Sequence, residues 1–275
     1  MRGTQNAEAF RLYLEGENLF TVVLKDDMAI SRDRFRAATE LDPKFARAWG
    51  WRSYAHVRSI LLEWLPASQM KDAGDWANMA VTLDPLDYAP HWDLAFWHLN
   101  NRDFKSAKDC YLKGIDLYDN QTDRLDRKPG ILAEAAEGFL HAGDPATAIS
   151  YLEKAMRIPD WYRWNLGWAY YQARRYDEAL AMLSSMHSKP GDPPYVPEIV
   201  LFQAAAHYRK GSSLRGEGFE DLARDHMDQA KQLMRKFRKD YPDFQLGDAV
   251  AHRSKFAFPA DEEHWIEPLR ILWNL

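Results

Sequence analysis

Cysteine is almost missing from this chain of 275 residues: Cys110 stands alone. One thiol excludes an internal disulfide framework and a thiolate zinc site built within one chain. Long apolar runs are missing as well. Nowhere do 18 apolar residues follow one another, the length a membrane-crossing helix needs. The opening MRGTQNAEAFRLYL has no apolar core of signal-peptide length before Glu15 and Glu17. A soluble, cytoplasmic protein without membrane insertion is therefore expected. A cationic excess is absent too, since the net charge is −5 and the pI is near 6.0. That balance disfavours nucleic acid and anionic membranes as partners. Finally, no sustained period-two alternation is bounded by turn residues, so strands are not expected.

What is present is apolar and aromatic. Residues are 46% hydrophobic, enough for a substantial core, and 11 Trp and 13 Tyr exceed what a plain helical scaffold requires. The stretch Trp161–Leu183 reads as two short amphipathic helices joined by a tight turn. Leu166, Gly167, Tyr170, Tyr176, Ala179 and Leu183 fall at offsets 0, 1, 4, 10, 13 and 17. Gly167 removes a side chain where two backbones approach, and Ala179 lies where the second helix crosses the first. One hairpin cannot bury its own apolar face, so neighbours of the same kind are expected.

They can be found along the chain. Ala7–Val23 and Ala29–Leu41 form a first pair, with a polar break at Lys25–Asp27 and an end at Asp42-Pro43. A second pair, from Ala46 to about Trp64 and Asp72–Leu83, closes at Asp84-Pro85, and LDPKFA is echoed by LDPLDYA. Tyr88–Leu99 and Phe104–Leu117 follow, then Ile131–His141 and Pro145–Arg157, where Asp144 is the expected N-cap and Pro145 the first helical residue. After the Trp161–Leu183 pair, the proline-rich SKPGDPPYVP at Ser188–Pro197 specifies a loop. The sixth pair is predicted as a short helix Glu198–Lys210, a mobile glycine-rich break at Gly211–Gly218, and a long helix Phe219–Tyr241. Its basic stripe Arg235, Lys236, Arg238 and Lys239 suits a helix C-terminus. Two last helices, around Gly247–Ser254 and Glu262–Trp273, are expected to cover the open end of the stack.

The L-G-x2-Y portion at Leu166–Tyr170, with Ala179 beyond it, resembles the tetratricopeptide repeat (TPR), a helical hairpin recurring about every 34 residues. On that resemblance the chain is an all-α solenoid of about six TPR-like hairpins, some fourteen helices in one right-handed superhelix with a C-terminal capping pair. It would form a single domain over 1–275, with repeats at 8–43, 46–85, 88–117, 130–158, 160–187 and 198–242 and the cap at 244–275. More narrowly, AFRLYLEGENLF, FRAATELDPKFARAW, MRIPDWYRWNLGWAYYQARRYDEALAML and the terminal KDYPDFQLGDAV…PADEEHWIEPLRIL resemble particular regulatory regions. These are the TPR regions behind the catalytic domain of certain bacterial adenylate cyclases and behind the winged-helix domain of TolB/CadC-like regulators. Neither effector domain stands ahead of Met1, so a sensing or scaffolding role is what the resemblance implies, in a stand-alone adaptor or an excised domain.

In that family the first helices of successive hairpins line a concave face. The resemblance places Trp92, Phe96, Leu99 and Asn100 there in repeat three and Glu137 and His141 in repeat four. In repeat five it places Trp161, Trp164, Trp168, Tyr171 and Gln172. Repeat two offers Arg47, Tyr54, Val57 and Arg58, and repeat six Phe202, Arg209 and Lys210. Trp161, Trp164, Trp168 and Tyr171 share one helix face by spacing. Three readings follow: rings packed on one another as core, a groove for a peptide or protein, and an enclosed small-molecule pocket. The Lys and Asn of a carboxylate clamp are missing, since the matching positions hold Tyr13/Glu17, Gly50/Tyr54 and Trp92/Phe96.

Catalytic patterns fare poorly. His91 and His98 lack an interleaved carboxylate of H-E-x-x-H type, GSSLRGEG lacks the G-K-[ST] ending of a phosphate loop, and Cys110 sits mid-helix. No cofactor or metal is expected, and no catalysis. The expectation is a non-catalytic scaffold or adaptor binding a protein or peptide, or a second copy of itself, through Trp92, Phe96, Glu137, His141, Trp161, Trp164, Trp168 and Tyr171. Apolar residues near the C-terminus, Trp265, Trp273 and Leu275, would serve self-association. The alternative is a sensing domain enclosing a small-molecule ligand between the same rings.

Overall fold

A computed structural model describes residues 3–20, 24–120, 128–154, 160–186, 196–247 and 257–275; at 128–131, 160–162 and 196–197 it describes the main chain only. Among the described residues the regular elements are all helices. They are α1 (Ala7–Leu19), α2 (Lys25–Leu41), α3 (Ala46–Leu61), α4 (Met70–Leu83), α5 (Tyr88–Asn100), α6 (Phe104–Asp119), α7 (Lys128–His141), α8 (Pro145–Lys154), α9 (Asp160–Gln172), α10 (Tyr176–Ser184), α11 (Val196–Gly216), α12 (Glu220–Asp240) and α13 (Pro259–Trp273), with a 3-10 turn at Ala67–Gln69. Successive helices pair as hairpins, and each hairpin packs on the next within its unit. Among the described residues the fold is all-α, with TPR-like helical hairpins stacked solenoid-fashion within each unit and a final helix in the second. Two compact units share them: Met1–Arg124 holds α1–α6 and Leu125–Leu275 holds α7–α13.

Local chemistry accounts for the joints. Five helices end on one left-handed residue, Glu63, Arg102, Gly143, Arg174 or Gly218, with φ of 57°, 62°, 75°, 62° and 89°. The next N–H in each case reaches back five residues, as in Asp103 N to His98 O and Asp144 N to Phe139 O, both 2.9 Å. This is the Schellman closure, which satisfies carbonyls the helix end leaves open. Asp144 caps α8 as expected, accepting from Thr147 N at 3.2 Å. At the crossings the small residues Ala77, Ala107, Ala148, Ala179 and Ala230 are fully buried. A methyl on Gly167 would lie 2.5 Å from Leu183 Cδ2, so that close approach requires glycine.

Three expectations need correction or placing. The polar Lys25–Asp27 is no break: α2 starts at Lys25, because Asp26 and Asp27 in a first turn favour the helix dipole. Nor is Gly211–Gly218 a loop, since α11 runs unbroken to Gly216. Gly211 is there because α12 comes so close that a Cβ would stand 3.0 Å from the Ala223 carbonyl oxygen. Of the two expected terminal helices, the one around Gly247–Ser254 lies almost wholly outside the described residues, while α13 is formed.

Candidate functional site

In each unit the first helices of successive hairpins share an inner face, and the two units use it differently. In the first unit Trp92 is core. It packs edge-on against Tyr111 at 5.1 Å, and Gly114 leaves room for its ring. Phe96 is half-buried and lies 4.3 Å from Tyr54. Tyr54 in turn touches Trp51 at 5.5 Å and Phe20 at 5.4 Å. Phe20, Trp51, Tyr54 and Phe96 thus form an unbroken, half-buried aromatic row from α1 through α3 to α5. Arg47 is committed elsewhere, paired with Asp87, and Val57 is fully buried.

In the second unit the expected stripe is covered. Trp168 and Tyr171 are fully buried, and Trp164 and His141 are nearly so. The side chain of Trp161 lies outside the described residues. Trp164 and Trp168 stack at 5.7 Å and 7°, both rings meet Phe202 of α11 at 6.0 Å, and His141 stands edge-on to Trp168 at 5.0 Å. Glu137 is half-buried on α7, 3.8 Å from the His141 imidazole. These rings take the core-packing option among the three readings, and Trp92 belongs to the other unit.

The cover is α13. Its Trp265 stacks on Phe202 at 3.9 Å, and Trp265, Ile266, Leu269 and Leu272 are all buried. Polar contacts hold it along the inner face. Ala257 N donates to His141 O at 2.8 Å, Tyr171 OH donates to His264 O at 2.7 Å, and Arg209 Nη2 donates to the same oxygen at 2.8 Å. Arg209 also pairs with Glu267 at 2.8 Å, and Arg174 lies 3.8 Å from Asp261. Burial, then Arg174 and Arg209, push the His264 imidazole down to about 3, so it is neutral in the docked helix. Burial likewise pushes the Tyr171 phenol up and keeps it a donor. The tetratricopeptide resemblance placed Arg209 and Phe202 on the inner face. It did not suggest that their occupant would be the chain's own end, the run HWIEPLRIL of α13. Of the residues expected to form a sticky edge, Trp265 is core, Trp273 packs on Phe237 and Phe244 beneath Arg238, and Leu275 is exposed.

Among the described residues no group of three or more His, Cys, Asp or Glu could hold a metal ion, and no helix is long and apolar enough to cross a membrane. Cys110 is partly buried, and its thiol is pushed up to about 11 by that burial and by Asp109 and Asp103. It is the reverse of an activated nucleophile.

The tetratricopeptide repeat family model matches residues 205–243, which span the end of α11 and all of α12. Solved structures of similar fold include YrrB, described as a TPR protein with an unusual peptide-binding site. It is 17% identical with a TM-score of 0.50, over 80% of this chain and 97% of that one. Another is pilF of Pseudomonas aeruginosa, 12% identical with a TM-score of 0.55, over 90% and 96%. The APC/C hetero-tetramer Cut9–Hcn1 is 16% identical with a TM-score of 0.50, over 90% of this chain and 46% of that one. No curated protein matches the chain by sequence. The chain shares the helical-hairpin fold of these solved structures, and its residues 205–243 match the tetratricopeptide repeat model.

Proposed function

We propose that the chain is a non-catalytic scaffold that binds a protein or peptide partner on an aromatic inner face, and that the first unit presents the accessible part of that face. The observation that carries this is the half-buried row Phe20, Trp51, Tyr54 and Phe96, continuous across three hairpins. Rigid aromatic rings with one side in water supply contact area at low entropic cost, which is what anchors of protein interfaces share. The peptide-binding use described for YrrB is the same use proposed here. In the second unit Glu137, His141, Trp164, Trp168 and Tyr171 would meet a partner only where α13 has left them, and Trp92 would support the row from beneath. A cytoplasmic setting suits the lone Cys110. The likeness to regions behind cyclase and winged-helix domains suggests that the partner is a regulated effector.

The test is affinity capture from lysate of the source cells with the tagged full chain and its Tyr54→Ser/Phe96→Ser variant, read by quantitative mass spectrometry. The variant should keep its helical circular dichroism and lose the specifically captured protein by at least about tenfold, the weight of a single good anchor. A partner retained equally by the folded variant would remove the first unit's row from the reading.

A further inference from the structure

One carbonyl oxygen inside α13 lacks its usual partner within the helix. A helical carbonyl is normally closed by the N–H four residues on. For His264 that residue is Pro268, which has no N–H to give. The inner face of the second unit supplies the missing donors, Tyr171 OH at 2.7 Å and Arg209 Nη2 at 2.8 Å, with Arg209 Nε at 3.3 Å. Tyr171 is fully buried, and Arg209 is mostly so. A second fork of the same guanidinium takes Glu267, the residue just before the proline. Beside the carbonyl, Trp265 enters a slot floored by Phe202 and edged by Tyr171, with centroids 3.9 Å and 6.2 Å away. Ile266, Leu269 and Leu272 continue the buried stripe.

We propose that the inner face of the second unit is a recognition site for a proline-interrupted amphipathic helix, occupied in this chain by its own α13. Its ligand class is defined by three features in one turn: an aromatic residue beside an open carbonyl, an acidic residue two positions further on, and a proline next. Tyr171 and Arg209 read the carbonyl directly, so the site distinguishes a helix with the proline from the same helix without it. Tyr171 and Arg209 stand 93 and 55 residues from His264 in sequence, so the contact belongs to the tertiary fold. The site is separate from the first unit's aromatic row, and either can fail without the other.

Two measurements on the full chain test it. The first is a double-mutant cycle between Tyr171→Phe and Pro268→Ala, read by hydrogen exchange of the α13 amides. Losing the phenol should speed their exchange about tenfold while Pro268 leaves the carbonyl open, and less than about twofold in the Pro268→Ala background, where the alanine N–H closes it. Equal acceleration on both backgrounds would overturn the proposal, because a merely packed tyrosine is indifferent to residue 268. The second uses a fluorescein-labelled peptide of residues 257–275 added to a Trp265→Ala chain, whose own helix is weakened at its main anchor. The peptide should bind there, and its Pro268→Ala version about tenfold more weakly despite alanine's better helix propensity. Equal or tighter binding by the alanine peptide would refute carbonyl recognition. Absence of binding to the folded variant would refute an exchangeable site.

Discussion

Acid should loosen the second unit through one imidazole. His264 sits between the rings of Tyr171 and Tyr176, 4.9 Å and 6.1 Å away, with Tyr176 OH 3.4 Å from its Nε2. The charged groups facing it are Arg174 from the end of α9 and Arg209 from α11, and both disfavour a second positive charge. Asp261 and Glu267 on α13 are turned to those arginines. The folded value, about 3, therefore lies below the ordinary 6.5 of the unfolded chain. The unfolded state binds the proton first, so the stabilisation is whole above about pH 6.5 and is lost as the pH falls toward the folded value. At about pH 5 the solution is roughly 1.5 units below the unfolded value, which at about 1.4 kcal/mol per unit gives about 2 kcal/mol. Solvent screening of a partly exposed ring reduces this to about 1 kcal/mol. The assay is urea unfolding of the parent and His264→Gln, followed by circular dichroism at about pH 7.5 and about pH 5. His207, pushed down to about 4 by burial and by His226, keeps its own acid sensitivity in both chains and cancels. The parent should lose about 1 kcal/mol more than the variant between the two pH values. An equal loss would show that the docked imidazole carries no such penalty, and the account of how α13 is held would be wrong.

Trp168→Ala should cost about 3–5 kcal/mol and cooperatively unfold the second unit, because the indole is fully buried against Trp164, His141 and Phe202. A thermal melt unchanged from the parent would place the ring in water instead. Arg102→Gly should stabilise by about 0.5–1 kcal/mol, since φ is 62° at a turn where two other hairpins already use glycine; a lower urea midpoint would contradict the left-handed turn. Gly211→Ala should destabilise by about 1 kcal/mol even though alanine favours helix, because the new methyl would stand 3.0 Å from the Ala223 carbonyl. A gain in stability would mean that α11 and α12 are further apart than described.

The hairpins were legible because their signals are local. Asp42-Pro43 and Asp84-Pro85 stop helices with residues adjacent in sequence, Asp144 caps the helix that Pro145 begins, and Ala179 and Gly167 are small where one helix crosses its immediate neighbour. At Gly211 a local signal misled because a tertiary contact outweighed it. Gly211 reads as a breaker, yet it remains helical because α12 packs so closely on it. The spacing of Trp164, Trp168 and Tyr171 identified one helix face correctly and could say nothing about what covers it. That face's contact with α13 at His264 lies 93 residues beyond Tyr171, and no periodicity within a hairpin carries information across such a distance. Sequence alone therefore determined that this protein is built of paired helices with aromatic first-helix faces. Only the tertiary structure decided that the second unit packs its own proline-containing helix on that face and that the first unit's row is left half-buried. Burial depends on which distant segment returns to a surface, and that is a property of the folded chain as a whole.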